Sequence, residues 1–191
     1  MKSPRGLILA ALFAALTAIG AYIRIPFPIV PFTLQVFFVL LSGAILGPRR
    51  GCISQLLYLA MGLLGLPIFS GGGGVQYVLH PTFGFILGFP VASWIVGTIS
   101  KIGRGESFWQ YLAASLAGIA AFDTIGILVL YINLNYVAGV QTSLWRVMQV
   151  GLSPFLAFDV AKGAAAAIVA LKVEKHTSFL EEGRRQKKGE M

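Results

Sequence analysis

Long apolar runs separated by small knots of Lys and Arg constrain this chain more than any other feature. A helix that crosses the hydrocarbon core of a membrane needs about 20 apolar residues at ~1.5 Å rise each. Six stretches meet or approach that length: Gly6–Ile23, Phe32–Leu46, Gly51–Leu66, Thr82–Ser100, Trp109–Tyr131 with an extension towards Val137, and Pro154–Val173. Of the 191 residues 57% are hydrophobic and 12% charged, where an ordinary soluble domain carries roughly 25% charged residues. A soluble domain of this size cannot hide so much apolar surface, so the surplus faces lipid. The expectation is an all-α integral membrane protein of six helices, one compact domain over residues 1–173 and a charged, solvated tail over 174–191.

Breaks between the runs follow the local chemistry. Pro26, Pro28 and Pro31 lead into the second helix. Pro67 ends the third, and Gly71–Gly74 keep Ile68–Pro81 out of a regular helix. Pro90 predicts a kink in the fourth. Ser153 is placed to cap the sixth helix, with Pro154 at its first position.

A net charge of +8 raises nucleic acid as a partner, but the cations sit at helix ends. One set of ends carries Lys2, Arg5, Arg49, Arg50, Lys101, Arg104, Lys172, Lys175, Arg184, Arg185, Lys187 and Lys188; the other carries Arg24 and Arg146. That asymmetry predicts both termini in the cytoplasm and contact with anionic head groups, in a cell (plasma or inner) membrane. Residues 2–21 have the form of a signal peptide, yet the rest of the chain is equally membrane-like, so they are read as a retained helix. Cys52 stands alone and says nothing of compartment.

Ionisable residues inside membrane helices are expensive, at least ~2.5–3.5 kcal/mol each at the bilayer centre unless paired. Three occur: Asp123, Asp159 and Lys162. Asp159 and Lys162 share a face at i, i+3, roughly 8 and 12 Å below the outer end of the sixth helix, and the glycine run lies on the same side. The arrangement reads as a ligand site open to the outside, or as a structural ion pair. Asp123, about 18 Å from the cytoplasmic side, is expected to balance Lys162 and leave Asp159 for the ligand; the alternative is a bond to Thr124. Gly72, Gly73 and Gly74 offer a backbone nest for an anion or simply a turn. Gln35, Gln55, His80 and Tyr77 are further polar candidates, and Phe69, Trp94 and Phe155 candidate pocket walls. Ala10, Ala14 and Ala18, with Ala11 and Ala15 beside them, form a small-residue face for packing in the bundle or for docking a second membrane subunit. There is no Walker A pattern, H-E-x-x-H, G-x-S-x-G or cysteine pair, and no cofactor or metal is expected.

In order along the chain, Val30-Pro31-Phe32-Thr33-Leu34-Gln35, Leu46-Gly47-Pro48-Arg49-Arg50-Gly51, Gly65-Leu66-Pro67-Ile68-Phe69-Ser70-Gly71-Gly72, His80-Pro81-Thr82-Phe83-Gly84-Phe85-Ile86-Leu87-Gly88-Phe89 and Pro154-Phe155-Leu156-Ala157-Phe158-Asp159-Val160-Ala161-Lys162 resemble the BioY family. These are the biotin-specific substrate-capture (S) components of energy-coupling factor (ECF) transporters. The resemblance implies a six-helix S-component fold, no enzymatic activity in this chain, and partnership with a transmembrane coupling subunit and two ABC ATPases. It matches Asp159 and Lys162 to a D-x-x-K that contacts biotin, the glycines before Val75 to a Gly-rich loop, and the first-helix alanines to a docking motif. The chain departs from the pattern in the glycine run, where some members carry Asn and Gly72 or Gly73 stands here, at Ile86, where some carry Arg, and at His80 and Phe83, which replace commoner glycines. Rival readings are an S component for another vitamin, an intramembrane enzyme using Asp123 and Asp159, and a structural helical bundle with no ligand, which the three buried charges make expensive.

Overall fold

The computed structural model describes residues 4–26, 30–102 and 107–189, with side chains as far as residue 176. Lys2, Pro28 and Arg104, and the side chains of Arg184, Arg185, Lys187 and Lys188, lie outside the described residues. Helix α1 (Pro4–Tyr22) leads into a short hairpin, β1 (Arg24–Ile25) paired antiparallel with β2 (Phe32–Thr33). Helices α2 (Gln35–Leu46) and α3 (Pro48–Leu63) follow, then a glycine loop and a 3₁₀ turn (Val75–Leu79). Helix α4 (Phe83–Ile102), α5 (Phe108–Ile132), α6 (Leu144–Gly151) and α7 (Leu156–Gly189) complete the chain.

Among the described residues, three spans are long and apolar enough to cross a membrane: Pro4–Tyr22, Phe83–Ile102 and Phe108–Val137. Helix α6 and the first part of α7 make a fourth if taken together across their 51° bend. Helices α2 and α3, of 12 and 16 residues, reach only about 18 and 24 Å at ~1.5 Å per residue.

Several boundaries differ from the sequence expectation. Phe32 and Thr33 are strand, not helix, because their backbone pairs with Arg24 and Ile25. Ser153 and Pro154 do not start the last helix. The chain keeps turning out of α6: Ser153 N–H donates to the Met148 carbonyl, and Phe155 and Leu156 N–H to that of Leu152. These bonds supply the acceptors that a Ser153 cap would have replaced. Helix α6 itself was not foreseen, and its Ser143 hydroxyl caps the Arg146 N–H. Helix α7 runs on through the charged segment to Gly189. Between α2 and α3 a single residue, Gly47 with φ 77°, ends one helix while Pro48 starts the next, the division of labour expected of Gly after and Pro at the start of a helix.

Glycines set the helix spacing. An added Cβ at Gly43 would stand 2.3 Å from the Ser93 carbonyl oxygen on α4, and one at Gly88 2.7 Å from Phe122 Cα on α5. Where backbones come this close, polar side chains join them: Gln55 on α3 reaches Thr17 on α1 and Ser42 on α2, and Ser42 pairs with Ser93 at 2.9 Å. Membrane bundles use small residues and interhelical hydrogen bonds in this way, since lipid supplies no hydrophobic drive between helices. Gln55 is thereby a packing residue.

Helix α1 corrects one docking expectation. Ala10 and Ala14 are buried and Ala18 is half-buried against the core, because their small side chains let α1 lie on α2 and α3. Ala11 and Ala15 face outward, beside exposed Leu7, Ile8 and Leu12.

Candidate functional site

A cavity of about 50 Å³ opens at the end of the bundle where α2, α4 and α7 begin. Segments far apart in the chain contribute to it. The hairpin gives Phe32 and Thr33, α2 gives Gln35, the glycine loop gives Ser70, and α4 gives Phe85, Ile86 and Phe89 behind Thr82. Phe122 and Asp123 come from α5, Gly151 from α6, and Asp159 and Lys162 from α7 with Phe155 above them. The walls are aromatic and the polar groups few and convergent, the usual composition of a small-molecule site.

Asp159 and Lys162 form an ion pair, with Lys162 Nζ donating to Asp159 Oδ1 at 2.8 Å. Asp159 is 5% exposed and Asp123 7%. The expectation that Asp123 neutralises Lys162 is corrected: among the described residues the ion pair is with Asp159. One turn of α7 brings these two together, whereas Asp123 projects from another helix, within electrostatic reach of both. Nor does Asp123 take the Thr124 hydroxyl, which donates to the Ala120 carbonyl at 2.7 Å. Lysine has three donors and a carboxylate about four acceptor sites, so after pairing both keep capacity towards the cavity.

Two supporting networks fix the rest of the polar rim. Gln35 donates its amide to the Tyr58 hydroxyl at 2.6 Å, and that hydroxyl donates to the Ile68 carbonyl at 3.0 Å. The start of the glycine loop is thus tied to α2 through α3. On the other side, Tyr77 stacks on His80 at 4.6 Å, and both converge on Thr82: Tyr77 Oη at 3.0 Å and His80 Nδ1 at 2.8 Å from Thr82 Oγ1. Burial lowers the His80 pKa from its ordinary 6.5, so the ring is neutral at pH 7. His80 Nδ1 accepts the Thr82 backbone N–H at 3.3 Å, which puts the ring proton on Nε2. Thr82 Oγ1 thus shares one hydrogen bond with Tyr77 Oη and one with His80 Nδ1.

The sequence candidates therefore divide. Gln35, Asp159, Lys162 and Phe155 line the cavity together with Asp123. Tyr77, His80 and Phe69 form a layer behind it, with Phe69 and Tyr77 rings 4.7 Å apart. Trp94 is 50% exposed on α4. Gly72, Gly73 and Gly74 are not in the cavity wall, and the backbone nest expected of them is largely spent. Gly72 N–H donates to the Phe69 carbonyl and Gly74 N–H to that of Gly62, while a Cβ on Gly73 would lie 2.1 Å from the Leu66 oxygen. Their φ values of 123° at Gly72 and 100° at Gly74 serve a tight fold of the loop against α3.

Residues 1–179 match the model of the BioY family. The chain belongs to the BioY family. It is 39% identical over 174 residues to a probable biotin transporter of Lysinibacillus sphaericus, covering 91% of this chain and 89% of that one. It is 39% identical over 172 residues to a biotin transporter of Thermotoga maritima, covering 90% and 96%. Among solved structures, its fold matches the S-component for biotin from an ECF-type ABC transporter, with a TM-score of 0.75 at 24% identity over 90% of this chain and 91% of that one.

Ile86, one of the positions at which the sequence departs from the expected pattern, lines the cavity as an apolar wall. Sequence reasoning missed Thr82, Ser70, Tyr58 and the wall residues Phe32, Phe85, Phe89 and Phe122. Thr82 and Phe85 sit in the His80–Phe89 segment, and the mixed polar and aromatic character of that segment was the one available signal. The aromatics carry none, since lipid contact explains most aromatic residues in membrane helices.

Proposed function

We propose that this BioY-family chain captures biotin and delivers it inward as the substrate-specific subunit of an ATP-driven vitamin importer. The adjacent carboxylate and ammonium of Asp159 and Lys162 at the cavity wall carry this reading. A cyclic urea presents an N–H donor beside a carbonyl acceptor, and the pair offers the complementary acceptor and donor side by side. The thiophane ring and alkyl chain suit the phenylalanine walls. With the Gly72 and Gly74 N–H groups engaged, Gln35, Thr82 and Ser70 at the cavity wall serve the remaining polar atoms of the ligand.

In this reading α2, α3 and the α6–α7 pair complete a six-span bundle with both ends cytoplasmic, and the cavity faces outward. The membrane is the cell membrane, the segment 174–191 a cytoplasmic extension. ATP is hydrolysed in two ABC subunits, coupled through a transmembrane partner that docks on the exposed Ala11 and Ala15 side of α1. No cofactor takes part. Small-molecule sites run from ~300 Å³ upward, so entry of biotin displaces the Phe32 ring from Phe155 and Phe158, which it meets at 4.4 and 4.8 Å.

Equilibrium binding of labelled biotin to the full chain in detergent, competed with thiamine and riboflavin, tests the assignment. Saturable binding that only biotin displaces is expected; displacement by either competitor, or none by biotin from a folded preparation, would reject it. In the same assay Thr82→Val removes the central hydroxyl of the Tyr77–Thr82–His80 chain. Biotin affinity should fall about 5- to 10-fold, the worth of one neutral hydrogen bond, and Thr82→Ser should restore it. Equal loss in both variants would assign the threonine a packing role only.

A further inference from the structure

The opposite end of the bundle holds a second polar feature that biotin capture does not use. There a cavity of about 400 Å³ is lined by Arg49, Arg50 and Lys101 over Leu46 and Pro48. The three cations come from the start of α3 and the end of α4, and two of them lie over glycines: a Cβ on Gly47 would lie 2.3 Å from Lys101 Nζ, and one on Gly6 of α1 2.9 Å from Arg50 Nε. Among the described residues no carboxylate forms an ion pair with Arg49, Arg50 or Lys101. Like charges gathered this way repel, and the arrangement suits an external anion.

We propose that this cavity binds the phosphate group of an anionic phospholipid. It lies at helix ends, where head groups sit, and exposed Ile102 follows Lys101, giving the acyl chains an apolar path beside the basic pocket. Basic pockets between membrane helices hold anionic head groups through this combination of charge and depth, and arginine suits a phosphate diester because its fork donates two parallel bonds.

The test uses the full chain in neutral detergent, titrated with phosphatidylglycerol, with phosphatidylcholine and separately with inorganic phosphate, read by native mass spectrometry and melting temperature. One phosphatidylglycerol per chain should bind, saturably and in preference to phosphatidylcholine. Arg50→Gln and Lys101→Gln should each weaken it about fivefold, whereas Lys172→Gln, a cation outside the cavity, should leave it unchanged. Arg50→Lys keeps the charge and loses the fork, so it should weaken binding less than Arg50→Gln, which separates loss of charge from misfolding. Equal weakening by Lys172→Gln would mean diffuse surface attraction and overturn the site. Stabilisation by millimolar phosphate matching that by phosphatidylglycerol would reassign it to a soluble anion.

Discussion

Asp159→Asn should lower both stability and biotin affinity, and the two losses should separate in a second variant. The substitution keeps the shape of the side chain and removes its charge, leaving Lys162 largely buried without its counter-ion. Removing one member of a buried pair costs on the order of 3–5 kcal/mol. At about 2–4 °C per kcal/mol for a chain of this length, melting in detergent should fall by roughly 6–20 °C. Biotin affinity should drop about 10- to 150-fold, the equivalent of one charge-assisted hydrogen bond at ~1.5–3 kcal/mol. Adding Lys162→Met removes the stranded ammonium. Apolar replacement of a whole ion pair is often neutral, so melting should recover while binding does not. A double variant that binds biotin as tightly as the parent would reduce the pair to a packing device.

Gly43→Ala should damage the fold without touching the site. Its new methyl would stand 2.3 Å from the Ser93 carbonyl oxygen and 3.0 Å from Val96 Cβ, so α2 and α4 have to separate. The displaced helices also carry the Ser42–Ser93 bond at 2.9 Å. Overpacking costs typically 1–3 kcal/mol, and a clash with backbone belongs at the upper end, about 6–12 °C in melting temperature. Gly163→Ala is the control, because its nearest neighbours are the Ile119 side-chain tip at 3.2 Å and Ser115 Cβ at 3.3 Å. Equal melting of the two variants would show that α2 and α4 tolerate separation.

Much of the helical layout was legible because lipid imposes a simple rule on sequence: each long apolar run is a helix, and glycine and proline mark its ends. The rule misled where local pairing competed with it. Phe32–Thr33 reads as helix by hydropathy, yet the prolines around it leave an extended backbone that pairs with Arg24–Ile25. Helix α6 was hidden for a different reason: it is short, and Arg146 and Gln149 interrupt its apolar positions, so no long apolar run announces it.

For the site, the sequence determined that Asp159 and Lys162 share a helix face, because a spacing of three fixes that on any helix. It also determined that the glycine run is not helical. Only the tertiary structure decided that Asp159, not Asp123, pairs with Lys162, since relative rotation of α5 and α7 has no signature in either helix alone. The same holds for the Gly72 and Gly74 N–H groups, whose acceptors are carbonyls of Phe69 and Gly62, and for Thr82, which gains its place through Tyr77 and His80. Periodicity records which residues share a face; which faces meet is set by side-chain volume and by the backbone approach that glycines such as Gly43 and Gly88 permit.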